Sequence, residues 1–147
     1  MDQSTKTKES AGQEVRIPPE YIENENLRLR IYKRIAGVMS EAERDEVRRD
    51  LEDRFGPPPP AVNNLLDYAL LKALAEKVLV ASIDRRGDQV ALKFYDDTPL
   101  GPESMVELIR KRRDLRLDPT GILWMKYKGS DGGAMGAVRN VLLQLQS

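Results

Sequence analysis

The sequence predicts an α+β fold: a helical N-terminal half of three helices, followed by a small four-stranded antiparallel sheet of two hairpins with two further helices. Three observations carry this. Apolar residues recur every three or four positions from Leu27 to Val78. The period drops to two at Val90–Tyr95 and again between Leu115 and Tyr127. Glycine- or proline-bearing turns fall where the pattern breaks.

The first helix is expected over Asn26–Val38, with Leu27, Ile31, Ile35 and Val38 on one face, arginines and lysines on much of the other, and Asn24 or Asn26 as N-cap. Ser40-Glu-Ala-Glu43 has the capping-box spacing and starts a second helix with the stripe Val47, Leu51 and Phe55. That helix should stop at Gly56, which accepts a left-handed C′ conformation before prolines that cannot continue the ladder. Val62, Leu65, Leu66, Ala69, Leu70, Ala73, Leu74 and Val78 then mark a long third helix. DRFGPPPPAV, residues 53–62, therefore reads as a corner: Phe55 belongs to one stripe and Val62 to the next, which leaves little for a polyproline-binding partner.

Val90, Leu92 and Phe94 alternate with Ala91, Lys93 and Tyr95 as in a half-buried strand, with Ala81–Arg85 as hairpin partner across Arg86-Gly87-Asp88. Pro102 to about Arg112 predicts a short helix with Met105, Val106, Leu108 and Ile109 inward and Pro at the tolerated first position. The second hairpin takes Leu115 and Leu117, the turn Asp118-Pro-Thr-Gly121, then Leu123, Met125 and Tyr127 alternating with Ile122, Trp124 and Lys126. After the loop Gly129–Gly133, the residues Met135, Val138, Val141, Leu142 and Leu145 give a closing helix. Residues 1–15 offer almost nothing to bury and are expected to be a disordered lead-in to a single domain over 16–147.

Composition removes whole classes of chemistry. The 147 residues contain no cysteine and no histidine, so disulfides, thiolate nucleophiles, the usual zinc sites and Ser-His or Cys-His catalysis are excluded. Lys plus Arg equals Asp plus Glu at 24 each, which argues against bulk attraction to nucleic acid or an anionic membrane. No apolar run reaches membrane-span length and the first residues lack a signal-peptide core, so a cytoplasmic protein is expected, with no membrane partner. No cofactor is expected.

Most motif-like stretches have plain explanations. Arg86-Gly-Asp88 spells an adhesion tripeptide, but hairpin-turn chemistry accounts for all three residues. GSDGGAMG before the last helix lacks both the Gly-Lys-Ser/Thr ending of a P-loop and dinucleotide-fingerprint spacing, and reads as a flexible connection. Asp96-Asp97 shows no sign of a pocket, so solvated surface is the default and no enzyme activity is expected. Arg110-Lys111-Arg112-Arg113, with Arg116 beyond, is the densest basic cluster: either cations complementing a helix C-terminus, or contacts for nucleic-acid phosphates.

The second helix is more informative. At about 100° per residue, Glu43, Glu46, Asp50 and Asp53 fall on one strip beside the Val47/Leu51/Phe55 face. Like charges at these spacings repel, although Arg54 can pair with Asp50 and Arg49 with Glu46. The strip is either a solvated face or a surface awaiting a basic partner.

Three pieces together resemble the C-terminal domain of bacterial transcription-repair coupling factors: Ile17-Pro-Pro-Glu-Tyr-Ile22, Leu29-Arg-Ile-Tyr-Lys-Arg-Ile-Ala36 and Leu51-Glu-Asp-Arg-Phe-Gly-Pro-Pro-Pro59. The order of the later elements is similar too, so the resemblance runs from about residue 16 to the end. It implies a non-catalytic domain that packs on a UvrB-like N-terminal module, covers the surface that recruits UvrA, and restrains a DNA-translocating ATPase until the factor meets stalled RNA polymerase. The motor motifs are absent from this chain, which thus resembles one excised domain. By position, Asp50 and Asp53 would face arginines of the UvrB-like module. The family usually has proline at the position of Pro59, and Pro57, Pro58 and Pro60 look like additions that tighten the corner.

Overall fold

Residues 14–128 and 133–146 are described in the computed structural model of the chain. They fall in two compact units, Met1–Leu70 and Leu71–Ser147, divided within the third helix. Of the lead-in expected over residues 1–15, residues 1–13 lie outside the described residues, as does the glycine-rich loop at 129–132; Glu14 is described, its carbonyl accepting from the Asn64 side chain at 3.2 Å.

The first unit holds α1 (Glu25–Ala36), α2 (Glu41–Phe55) and the first part of α3 (Pro60–Lys77). Of the two candidate caps for α1, Asn24 does the work, its side chain accepting the Leu27 N–H at 2.9 Å. α2 opens on the expected Ser40/Glu43 pair: Ser40 Oγ accepts the Glu43 N–H at 3.2 Å, and Glu43 Oε1 accepts the N–H of Met39, one residue before the cap, at 2.8 Å in place of the Ser40 N–H of a full capping box. These contacts satisfy amides that the helix itself leaves unpaired. Ile31, Ile35, Val38, Val47, Leu51, Val62, Leu66 and Leu70 are buried, so the three predicted stripes supply this unit's core. Arg44 ties α2 to α3 through Asp67 at 2.8 Å.

α2 ends at Gly56 as expected, with a different conformation. Gly56 has φ +90° and ψ 177°, an extended backbone of positive φ that is essentially confined to glycine, rather than the compact left-handed turn. Its N–H still donates to the Glu52 carbonyl at 3.0 Å, closing the helix. Pro60 begins α3, so Gly56–Pro59 form a corner within the first unit.

In the second unit, α3 runs to Lys77 and the chain turns at Leu79, whose φ of +56° is unusual for a branched residue. The Leu79 carbonyl accepts the Tyr95 N–H at 2.9 Å. β1 (Val80–Arg86), β2 (Gln89–Phe94), β3 (Leu115–Leu117) and β4 (Leu123–Lys126) form one antiparallel sheet in the order β1-β2-β4-β3, with α4 (Pro102–Lys111) and α5 (Gly133–Leu145). Both hairpins are as expected; they join through β2 and β4, with Val90 opposite Met125 and Leu92 opposite Leu123. All four of those residues are buried, as are Leu108, Leu115, Val138, Val141 and Leu142.

Two inward assignments are corrected. Val106 is 45% exposed because α4 buries one stripe, Met105/Leu108, and Val106 lies about 130° from its centre at about 100° per residue. Met135 is 37% exposed, sitting at the edge of the α5 stripe in that helix's first turn.

Candidate functional site

The three sequence pieces that carry the family resemblance meet at the C-terminal end of α2. The Ile17 N–H donates to the Tyr32 hydroxyl at 2.7 Å, joining the Ile17-Pro-Pro segment to α1. Arg28 Nη1 donates to the carbonyls of Ile22 and Glu23 at 2.9 and 3.1 Å. The Tyr21 hydroxyl lies 2.7 Å from the Gly56 carbonyl, to which it donates, and 3.2 Å from that of Leu51. Its ring meets Phe55 edge-on at 5.8 Å and 60°, while the Arg54 guanidinium sits 5.0 Å from the other ring's centroid. Burial, and secondarily the Glu52 charge, raise the Tyr21 phenol above its ordinary value, so the group stays a donor.

This corner fixes the end of the helix that displays the acidic strip. Asp50 is not free there. Arg34 of α1 donates to its carboxylate, and Arg54 approaches the same oxygen at 3.5 Å. The Arg34 hydrogen bond chiefly, with the charges of Arg34 and Arg54 adding, lowers the Asp50 carboxyl below its usual range. Glu43 serves as a capping group. Glu46 and Asp53 are exposed, and neither makes an ion pair among the described residues. The expected Arg54–Asp50 pair is present, but no Arg49–Glu46 pair forms among the described residues; both side chains are exposed, where such a pair gains little.

The basic segment is distributed differently. Arg112 is spent inside the second unit: its Nε donates to Asp114 at 3.0 Å and its Nη1 to Gln144 of α5 at 2.7 Å. Arg110 faces Glu107 at 3.9 Å, and Lys111 and Arg113 are exposed. An open depression lined by Arg112, Ala137, Asn140, Leu143 and Gln144 lies beside this clasp. Asp96 and Asp97 are both exposed. Among the described residues no group of acidic side chains is arranged to hold a metal ion, and no helix is long and apolar enough to cross a membrane.

Sequence reasoning quoted Tyr21, Tyr32 and Arg34 inside the pieces that carry the resemblance but gave them no structural role, because their partners Gly56, Ile17 and Asp50 lie far away in sequence. It also assigned Asp118 only to a turn. That carboxylate accepts from the Thr120 N–H at 2.9 Å, the Thr120 hydroxyl at 2.6 Å, the Ile122 N–H at 3.1 Å and the Trp124 indole at 3.0 Å. Those donors, led by the Thr120 and Trp124 side chains, push its pKa far below the carboxylate range.

The TRCF domain family model matches residues 12–105, a span that contains the whole corner, α3 and the first hairpin. The chain belongs to the TRCF domain family. It is 37% identical over 109 residues to the transcription-repair-coupling factor of Haemophilus influenzae, covering 71% of this chain and 10% of that protein. It is 31% identical over 132 residues to the Escherichia coli transcription-repair-coupling factor, covering 88% of this chain and 12% of that one. The chain thus spans about a tenth of the length of these relatives. The crystal structure of the C-terminal domain of a transcription-repair coupling factor superposes with a TM-score of 0.70 at 21% identity, over 90% of this chain and 88% of that one. The TRCF fold therefore extends across both units.

Proposed function

We propose that residues 16–147 act as one non-catalytic regulatory domain of a cytoplasmic transcription-repair coupling factor. In this reading it docks on the UvrB-like N-terminal module, masks the UvrA-recruiting surface and restrains the DNA-translocating motor until RNA polymerase is engaged. The acidic strip of α2 carries the proposal. Glu46 and Asp53 project, with no ion-pair partner among the described residues, from a helix held by Tyr21 at its C-terminal end and by Arg34 at Asp50, so the charges are held in place without being neutralised. A rigid row of carboxylates suits a basic surface and favours release at raised salt, as a reversible restraint requires.

Asp53 and Glu46 give the cleanest test, since Asp50 already has two arginines. Reversing both, Asp53→Arg with Glu46→Arg, should weaken binding to the isolated UvrB-like module by about tenfold or more in low-salt calorimetry, an effect of about 1.4 kcal/mol. The reversal Asp50→Arg/Asp53→Arg should weaken it further. Unchanged affinity in both variants would remove the strip from the interface.

A further inference from the structure

The strand registers assemble a second charged surface that no motif in the sequence announces. Val90, Leu92, Leu123 and Met125 point to the core, so the residues between them share the opposite face of the sheet. One cross-strand row on that face is Arg86, Gln89 and Lys126; the next is Asp84, Ala91, Trp124 and Arg116; beyond it Ser82 pairs with Lys93. Neighbours in such rows lie about 4.5–5.5 Å apart. Arg86, Lys93, Arg116 and Lys126 are exposed, and none has a carboxylate partner among the described residues.

Asp84 is the acidic residue facing them within these rows. Asp118, at the hairpin tip, is occupied by four donors. Trp124 is half-buried in the midst of the cations, held by its indole N–H on Asp118 and by the Arg116 guanidinium 5.1 Å from its ring centroid. An aromatic ring fixed among cations that lack carboxylate partners, on a sheet face whose central Ala91 is buried and whose surrounding cations are exposed, combines the two elements that bind single-stranded nucleic acid: backbone neutralisation and a stacking surface.

We propose that this sheet face binds single-stranded nucleic acid, with Arg86, Lys93, Arg116 and Lys126 on the phosphates and Trp124 beneath a base. An acidic peptide would use the cations but has no planar group to place on the indole. The residues of this face are distinct from those of the acidic strip of α2, and binding here does not depend on that strip.

Trp124 is the chain's single tryptophan, so its fluorescence reports on this face alone. Titration with an oligothymidylate of about 15 nucleotides should quench that emission, with anisotropy of a labelled oligonucleotide following the same isotherm. Four contacts predict a log–log salt slope of about −2 to −3, at about 0.7 per phosphate. Changing Arg86, Lys93 and Lys126 together to Gln should weaken binding by about tenfold or more and bring the slope near −1; Arg110→Gln with Arg113→Gln should leave both unchanged. Binding without tryptophan quenching, equal quenching by polyglutamate, or no binding at low salt would each overturn the proposal.

Discussion

Replacing Tyr21 with Phe keeps the ring and removes only the hydroxyl that reaches the Gly56 carbonyl. The lost contact is a 2.7 Å hydrogen bond between residues 35 apart in sequence, closing the segment before α1 onto the end of α2. A typical net contribution is about 0.5–1.5 kcal/mol. Gly56 is half-buried, so water can reach part of the freed carbonyl, and the expected cost is about 1 kcal/mol, or about 3 °C in Tm for a chain of this size. Tyr21→Ala also removes the edge-on contact with Phe55, worth about 0.5–1.5 kcal/mol, together with the ring's apolar burial, and should cost about 2–3 kcal/mol. Urea unfolding followed by far-UV circular dichroism is the suitable assay, because it reports directly on the helices of this unit, whereas Trp124 lies in the second. A double-mutant cycle with Phe55→Leu should return a coupling of about 0.5–1.5 kcal/mol. A Tyr21→Phe variant within about 0.3 kcal/mol of the parent, with an unchanged m-value, would refute the role given to the hydroxyl.

Gly56→Ala should destabilise by about 1–3 kcal/mol from backbone strain alone, since an added Cβ would meet nothing within 4 Å. Gly87→Asn, at a φ of +64° that Asn tolerates, should cost less than about 1 kcal/mol in the same unfolding assay. Arg34→Gln should lower the unfolding midpoint at neutral pH. The Asp50 carboxyl is depressed in the folded state, so its stabilisation is full above the ordinary carboxylate value of about 4 and is lost as pH falls through the folded value; parent and variant melting curves should converge on acidification. Asp118→Asn should loosen the second hairpin and shift Trp124 emission. The same sign holds, but because Asp118 is depressed much further, the difference should persist to more acidic pH than for Asp50.

Helices, strands and turns were legible because their signals are short-range. Ser40 and Glu43 sit within one helical turn of each other, Asn24 caps Leu27, and Val90/Leu92 alternate along one strand. The end of α3 was less so: Leu79 adopts a positive φ where a glycine would have marked the stop. The acidic strip was visible as a helical spacing, but its state was not. Which of its carboxylates is already paired depends on Arg34, brought across from another helix.

By itself, then, the sequence determined the element order, the core stripes, the exclusion of cysteine and histidine chemistry, and the three pieces that mark the family. The tertiary structure decided that the first of those pieces closes on Gly56 through Tyr21 and on the second piece through Tyr32, that Asp50 is paired while Asp53 and Glu46 have no ion-pair partner among the described residues, and that β2 joins β4 to gather Arg86, Lys93, Arg116 and Lys126 around Trp124. The division follows from range. Periodicity and capping are set by neighbours within a turn or a strand, whereas ion pairing, tyrosine closure and strand order depend on which distant segments share the lowest-energy packing, and no local pattern records that.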